Sequence, residues 1–479
     1  MRSAGRLRAY DLAVTTPRQS PNRVLRATIV NLGCKVNQAE MDAVERLLRA
    51  SGADLVSGRE AADLVVVNTC TVTGVADRKS RQAVRRARRV SPGARVLVTG
   101  CSVAVGGAEL AAVDPGARLY DNEAKGRLHA EVAALLDLPA DGPLPTLSGV
   151  ERGARSGGDF ETDADETAEG DAFARDIDRT RAFVKIQDGC SFHCTYCIIP
   201  RARGEPRPVT AQEVLAGVRG AIAGGHREVV LTGINAGMYD DAGVALPGLV
   251  RRILAETPIE RIRLSSIEPQ HVSGELLEVW AGSGGRCLPH FHVPLQSGDD
   301  SILRRMGRRY DAAAYAAVVE RILGAVPGAA IHADVIAGFP AEDDAAWQRT
   351  LDLARTLELA GLHVFRYSAR PGTPAARMAG QTDARTRKRR AAEGLTLAAE
   401  LRARFALAQI GREMRVLFER QLPDGRWLGH AENYVAVAAG AAAGSALDNE
   451  IALIRGRAID PERADRVLGD SPLASVARK

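Results

Sequence analysis

The sequence predicts an α/β protein in three parts: an N-terminal parallel sheet, a central (β/α)6 partial barrel and a small C-terminal all-β barrel. Three observations predict it. Apolar strand-like runs alternate with helical periodicity over residues 25–139 and again over 181–408. A Gly-rich, strongly acidic stretch at 140–180 interrupts the alternation. Short alternating runs, split by turn residues, fill 409–460.

A chain of 479 residues exceeds one ordinary core, so two or three domains are expected. Residues 1–24 are Arg-rich and lack the apolar core and cleavage site of a secretory signal. They read as a disordered extension, and the protein as cytoplasmic. RATIVN (26–31) reads as a buried strand, followed by a helix over 38–50. ADLVVVN (62–68) is a β-branched strand before a basic helix at 76–90, and ARVLVTG (94–100) is a third strand. A further strand–helix pair runs to about 137. The acidic stretch buries too little apolar surface to offset its ordering entropy and reads as a flexible linker. Strands then recur at AFVKIQ (182–187), EVVLTG (228–233), RIRLSS (261–266), HFHVPL (290–295), IHADVIAGF (331–339) and GLHVFRYS (361–368). A long charged helix over 385–408 leads out of the barrel. EMRVLFE (413–419), GRWLGH (425–430) and NYVAVAA (433–439) supply the terminal barrel, with 461–479 as a tail.

Hydrophobic residues make up 46% and charged residues 26%, the composition of a globular protein, and no apolar run is long and clean enough to span a bilayer. The net charge of +5 decides little, but its distribution is uneven. Arg78, Lys79, Arg81, Arg85, Arg86, Arg88 and Arg89 crowd one helix; Arg304, Arg305, Arg308 and Arg309 form a second cluster, and Arg385 to Arg390 a third. Such clusters suit a polyanion such as RNA, and suit solvated helix faces equally well.

Seven cysteines in a cytosolic chain of this size do not form a disulfide framework. Cys190, Cys194 and Cys197 form a C-x3-C-x2-C array just after a strand. Three thiolates so close can hold three corners of a cubane cluster and leave one iron open for a small molecule. A structural zinc loop would need a distant fourth ligand, because none follows nearby. Cys34, Cys70 and Cys101 each follow one of the first three strands. Neighbouring parallel strands bring their carboxyl ends together, so these three should converge and could hold a second cluster. Three separate buried cysteines would not explain the repeated topological position. Cys287 reads as a small core residue. His290 and His292 alternate on one strand with no acidic partner in view and receive no catalytic role. His193 reads as a loop residue.

NLGCKVNQ (31–38), NTCTVT (68–73), DGCSFHCTYCIIPRARG (188–204) and the terminal β-module resemble the methylthiotransferase family of radical S-adenosylmethionine enzymes, over about residues 25–460. KVNQ, TCTVTGVADRKSRQ and HVFRYSARPGTPAARM resemble the branch acting on N6-threonylcarbamoyladenosine in tRNA. The resemblance implies a flavodoxin-like front domain, a radical S-adenosylmethionine barrel and a TRAM-like RNA-binding module. It implies two 4Fe-4S clusters, on Cys34, Cys70 and Cys101 and on Cys190, Cys194 and Cys197. It implies S-adenosylmethionine contacts from Tyr196, from Gly233 and Asn235 in VVLTGINAG, from Ser266 and Glu268 in SSIEP, and from Asp334 and Gly338 in DVIAGFP. One cofactor molecule would methylate sulfur at the front cluster, and a second would yield the radical that takes hydrogen from C2 of the adenine. That C–H is not acidic, and no poised base is visible, so a cofactor must carry the step. The route implies a low-potential electron donor of flavodoxin or ferredoxin type and a sulfur donor. Arg85, Arg86, Arg88 and Arg89 would hold tRNA by its phosphates. Trp427 and Tyr434, near Arg415, Arg420 and Arg426, would either stack on bases or fill the barrel core. Arg201 departs from the family pattern, as does the long insert at 150–180. Two competing readings are an isopentenyladenosine or ribosomal-protein methylthiotransferase, and a non-catalytic RNA-binding iron–sulfur protein.

Overall fold

The run Leu64–Thr69 is buried along its whole length, because β-branched residues fill both faces of a strand covered by helices. It lies at the centre of a five-stranded parallel sheet. Around it stand Arg26–Asn31, Asp54–Leu55, Arg95–Gly100 and Arg118–Tyr120, in the spatial order second, first, third, fourth, fifth, counting along the chain. This is the flavodoxin-like order. Apolar clusters pack on both sides of the sheet, beneath helices that include Lys35–Ala50 and Gly74–Val90. The computed structural model describes residues 24–136, 180–441, 446–470, 472 and 474–475. The extension expected over 1–24 and the linker expected over 140–180 lie outside them, apart from their final residues.

The register decides where the front cysteines go. Asn31 pairs with Asn68, and Thr69 pairs with Gly100, so the carboxyl ends of the three strands stand side by side. Gly100 has φ of 100°, and a Cβ there would lie 2.3 Å from the carbonyl oxygen of Thr69. Only glycine lets Cys101 begin its helix, Cys101–Val113, that close to the neighbouring strand.

The six expected barrel strands are Arg181–Asp188, Glu228–Gly233, Arg261–Leu264, His290–His292, Ala330–Ala337 and Gly361–Arg366. They run parallel in chain order as two hydrogen-bonded groups of three, joined by parallel bridges between Ile262 and Cys287 and between Ser266 and His292. The main core lies between these strands and their helices, with Trp280 and Trp347 fully buried. Cys287 is buried within it. The first and sixth strands do not pair, and the front domain spans that opening. On one side Glu40 of helix Lys35–Ala50 meets Lys185 of the first barrel strand at 2.8 Å. On the other, Ser368 accepts from the Gly74 amide at 3.0 Å, and Arg370 donates to Thr71 at 2.6 Å.

Helix Ala384–Leu407 leads to a barrel closed by pairing Glu413–Gln421 with Ile451–Asp460. The strand Arg463–Gly469 inserts between Ala436–Ala439 and Ile451–Asp460, so the expected boundary at 460 cuts through the barrel. RADRVLG is too polar to announce a strand, and it is held by pairing on both edges. The barrel is also not a free appendage. Arg261 donates to the carbonyl oxygens of Arg415, His430 and Ala431 at 3.2–3.3 Å, and Arg263 to that of Glu432 at 3.3 Å. Trp427 packs partly buried on the barrel core. Tyr434, at φ of 72°, points across the junction to His290, with ring centroids 4.8 Å apart.

Candidate active site

Both groups of three cysteines sit where strands end. Cys34 precedes helix Lys35–Ala50 and is exposed; Cys70 and Cys101 are buried. Asn37, one turn into that helix, donates to the Thr69 carbonyl at 3.1 Å and to the Asn68 side chain at 3.2 Å, which ties the Cys34 turn to the Cys70 turn. Ser102 donates to the Cys70 carbonyl at 2.7 Å, which ties the Cys70 turn to Cys101. Burial, with Cys101 and Cys34 close by, pushes the Cys70 thiol up to about 12. A bound cation reverses that preference, since a coordinating thiol is deprotonated by the metal. Three thiols make a soft donor set that fits an iron–sulfur cluster.

Arg203 is the charged neighbour that sequence reasoning missed. It is fully buried beside Cys34 and Cys101, hydrogen-bonds the Asn37 side chain, and pairs with Glu40 at 3.1 Å and Asp188 at 2.9 Å. Burial opposes ionisation of Glu40, but Lys125, Arg203 and Lys185 together hold its carboxyl well below the usual carboxylate range. Asn122 links the same corner to the barrel: it donates to the Ala202 carbonyl at 2.7 Å and stands 3.8 Å from the Cys101 sulfur.

The loop of Cys190, Cys194 and Cys197 is shaped by its own backbone and its neighbours. Gly189 has φ of 74°, and a Cβ there would lie 2.0 Å from the Glu205 carbonyl. The Cys190 amide donates to Gly204 at 3.0 Å, the Cys197 amide to Cys194 at 2.9 Å and the Thr195 amide to Met306 at 2.9 Å. Arg308 stands 3.3 Å from the Cys194 sulfur and pairs with Glu268. Asn235 lies 3.9 Å from the Cys190 sulfur and accepts from His271 at 3.1 Å. Burial pushes the Cys197 thiol up to about 12, the direction a bound cluster would reverse. His193 is exposed and joins no sulfur.

The expected cofactor residues divide. Tyr196, Asn235 and Glu268 surround the cysteine loop, directly or through Arg308. Gly233 packs on Gln187 behind the loop. Ser266 and Asp334 instead hold His292, at 3.0 and 2.7 Å, on its two ring nitrogens. The acidic partner unseen in the sequence is therefore Asp334, on the neighbouring strand and two residues beyond the partner of His292. Gly338 turns its backbone onto Arg387 and donates to Glu342 at 2.6 Å. His292, Asp334 and His363 bring ligating atoms within 4.8 Å of one another, and His292 already uses both nitrogens, on Ser266 and Asp334.

The basic clusters also divide. Arg88 is committed to Asp114 at 3.0 Å and to the Pro92 and Ala94 carbonyls. Arg390 is buried against Glu342 and Asp344, and Arg308 belongs to the cysteine loop. Arg85 and Arg89 are exposed on helix Gly74–Val90, and Arg86 is half-buried there.

Residues 184–354 match the model of the Radical SAM superfamily, and residues 26–120 that of the uncharacterized protein family UPF0004. The threonylcarbamoyladenosine tRNA methylthiotransferase MtaB of Bacillus subtilis (strain 168) is 34% identical over 420 residues, covering 85% of this chain and 88% of its own. This chain belongs to the methylthiotransferase family of radical S-adenosylmethionine enzymes. A second member, the tRNA-2-methylthio-N(6)-dimethylallyladenosine synthase of Maricaulis maris (strain MCS10), is 32% identical over 416 residues, covering 82% and 87%. The radical S-adenosylmethionine methyltransferase TsrM of Kitasatospora setae shares the fold: TM-score 0.52 and 16% identity over 73% of this chain and 74% of its own. As a family member, this methylthiotransferase is an enzyme that uses a 4Fe-4S cluster and S-adenosylmethionine. Among its described residues, no helix is long and apolar enough to cross a membrane.

Proposed function

We propose that this methylthiotransferase places a methylthio group on C2 of N6-threonylcarbamoyladenosine beside the anticodon of tRNA. Cys190, Cys194 and Cys197 would hold the radical cluster, and Cys34, Cys70 and Cys101 a second one. When bound, these clusters and S-adenosylmethionine supply the radical and the methylated sulfur that an unactivated C–H bond requires. The chain's own part is positional. Arg308 sets a cation against Cys194, Asn235 meets Cys190, and Gly100 seats Cys101 beside Cys70. Exposed Arg85 and Arg89, on the helix that follows Cys70, suit RNA phosphates. A low-potential electron donor and a sulfur donor are needed as partners.

The observation that carries the substrate reading is the polarity of the barrel interior. His290, His292, His332, His363 and Asp334 line one wall, with ring centroids 5.0–6.1 Å apart along the histidine row. Such a wall suits a polar, charged substituent on the base, whereas a dimethylallyl group would ask for an apolar pocket. Relatives named for both substrates match this chain at similar identity, so the test must be direct. Nucleoside mass spectrometry of tRNA from a deletion strain should show loss of 2-methylthio-N6-threonylcarbamoyladenosine with its unthiolated precursor retained. Loss of the methylthiolated dimethylallyl nucleoside instead would transfer the enzyme to the other branch.

A further inference from the structure

Lys35 is the first residue of the helix that follows Cys34, and it is partly buried. Tyr434, Arg181, Arg263, Asp334 and His290 lie within electrostatic reach of its ammonium. The other charged groups there each have a bonded partner, with Glu228 shared by two arginines. Arg261 and Arg263 each meet Glu228 at 2.8 Å, Arg181 meets Glu419 at 3.4 Å, and Asp334 is bonded to His292 at 2.7 Å. Among the described residues, no carboxylate lies within ion-pairing distance of Lys35 and no side-chain or backbone acceptor takes its hydrogen bonds. A partly buried ammonium beside two guanidinium groups is costly without an anion of its own. The missing member of this network is an anion that the chain does not supply.

We propose that Lys35 reads the carboxylate of the threonylcarbamoyl substituent. The assignment rests on the substrate reading above and sharpens it to one residue. In adenine, C2 and C6 flank the same ring nitrogen. A base whose C2 is presented to the turn of Cys34 therefore carries its N6 substituent into the neighbourhood of the adjacent residue. A carboxylate there completes the charge balance through a charge-assisted hydrogen bond. A dimethylallyl group would leave the ammonium desolvated and unpaired, and a site built around a charged partner rejects an analogue that lacks it.

The test uses reconstituted holoenzyme and three anticodon stem–loop RNAs. One carries threonylcarbamoyladenosine, one its carboxyl methyl ester, and one dimethylallyladenosine. Wild-type enzyme should bind the acid about 10- to 100-fold more tightly than the ester, the worth of one hydrogen bond to a charged group. Lys35→Met should lower acid binding to the level of the ester, with ester binding and iron content unmoved. Lys35→Arg should retain most of the preference. The acid-to-ester ratio of the wild type needs no variant, so a misfolded Lys35→Met does not blunt the test. A wild-type ratio near one, or a ratio that survives in Lys35→Met, overturns the assignment alone if the acid RNA is still methylthiolated. Turnover of the dimethylallyl RNA with none of the acid RNA overturns the substrate reading itself.

Discussion

The two groups of three cysteines offer the same three donors and are built in opposite ways. Cys190, Cys194 and Cys197 lie within eight residues of one loop, whose hydrogen bonds run largely inside it or to its immediate supports. Cys34, Cys70 and Cys101 come from three strands spread over 68 residues, and nothing local brings them together. They meet because the sheet pairs Asn31 with Asn68 and Thr69 with Gly100. One site is written in a segment; the other is written in a topology. The second should therefore be the more sensitive to changes remote from its ligands.

The largest effect tests the first half of that contrast. Replacing Cys190, Cys194 and Cys197 together by Ala should remove about half of the iron and reduce 5′-deoxyadenosine formation to background, because a cluster without ligands cannot reduce the sulfonium. Retained cleavage of S-adenosylmethionine would sink the assignment of this loop.

The reciprocal experiment leaves every cysteine in place. Gly100→Val puts a β-branched residue at φ of 100° with its Cβ 2.3 Å from a backbone oxygen, so Cys101 must move away from Cys70. The strain is on the order of 1–3 kcal/mol for the backbone conformation alone. Iron at the front site and methylthiolated product should both be lost, while the radical cluster remains visible by electron paramagnetic resonance. Two intact clusters in this variant would mean that register does not control the front site.

Glu40 joins the two domains, and Glu40→Gln leaves Arg203, Lys185 and Lys125 short of their shared partner. Breaking a buried pair on one side costs about 3–5 kcal/mol. Thermal unfolding should show a lower midpoint for the variant at neutral pH. The sign with pH follows from the depressed carboxyl of Glu40. Its contribution is fully present above the unfolded value near 4.5 and fades as pH falls below it, so the gap between wild type and variant should narrow in acid. A gap that widens in acid would show that Glu40 does not carry the charge described.

The smallest effect lies on the surface near the front site. Arg85→Gln with Arg89→Gln should weaken tRNA binding several-fold and reduce the salt slope by about 1.4 to 1.8, two phosphate contacts' worth. An unchanged slope would assign those arginines to solvent. Arg88→Gln belongs to another class, because its guanidinium holds Asp114 and two carbonyl groups; it should appear as lost stability.

Much of this architecture was legible because its signals are short-range. β-Branched runs marked the long strands, and a cysteine after each of the first three of these pointed to convergence, while the two-residue strand Asp54–Leu55 gave no signal. What escaped was which distant charges meet. Arg203, Arg308 and Asp334 each act on a residue far along the chain, and no spacing rule links Arg203 to Cys34 or Asp334 to His292. RIRLSS was recognised as a strand, but its alternation placed two arginines inward, against the usual pattern, because Glu228 and the carbonyl groups of the terminal barrel await them. The basic clusters divide for a similar reason. Their composition suits RNA or solvated helix faces equally well, and Arg88, Arg308 and Arg390 are instead bound within the fold.

The junction of Tyr434 with the barrel bears on how such enzymes can be recombined. Its ring stacks on His430 at 4.9 Å and lies under the guanidinium of Arg263 at 4.6 Å, while Arg261 is capped by three carbonyl groups of the same terminal unit. The terminal unit thus closes one side of the polar network inside the barrel. Grafting it from another enzyme would also replace the wall against which Arg261 and Arg263 are held. A transplant that respects only the domain boundary would have to present backbone carbonyls to Arg261 and Arg263 in the same places. The smallest exchangeable cassette is the terminal barrel together with Arg261, Arg263 and Glu228.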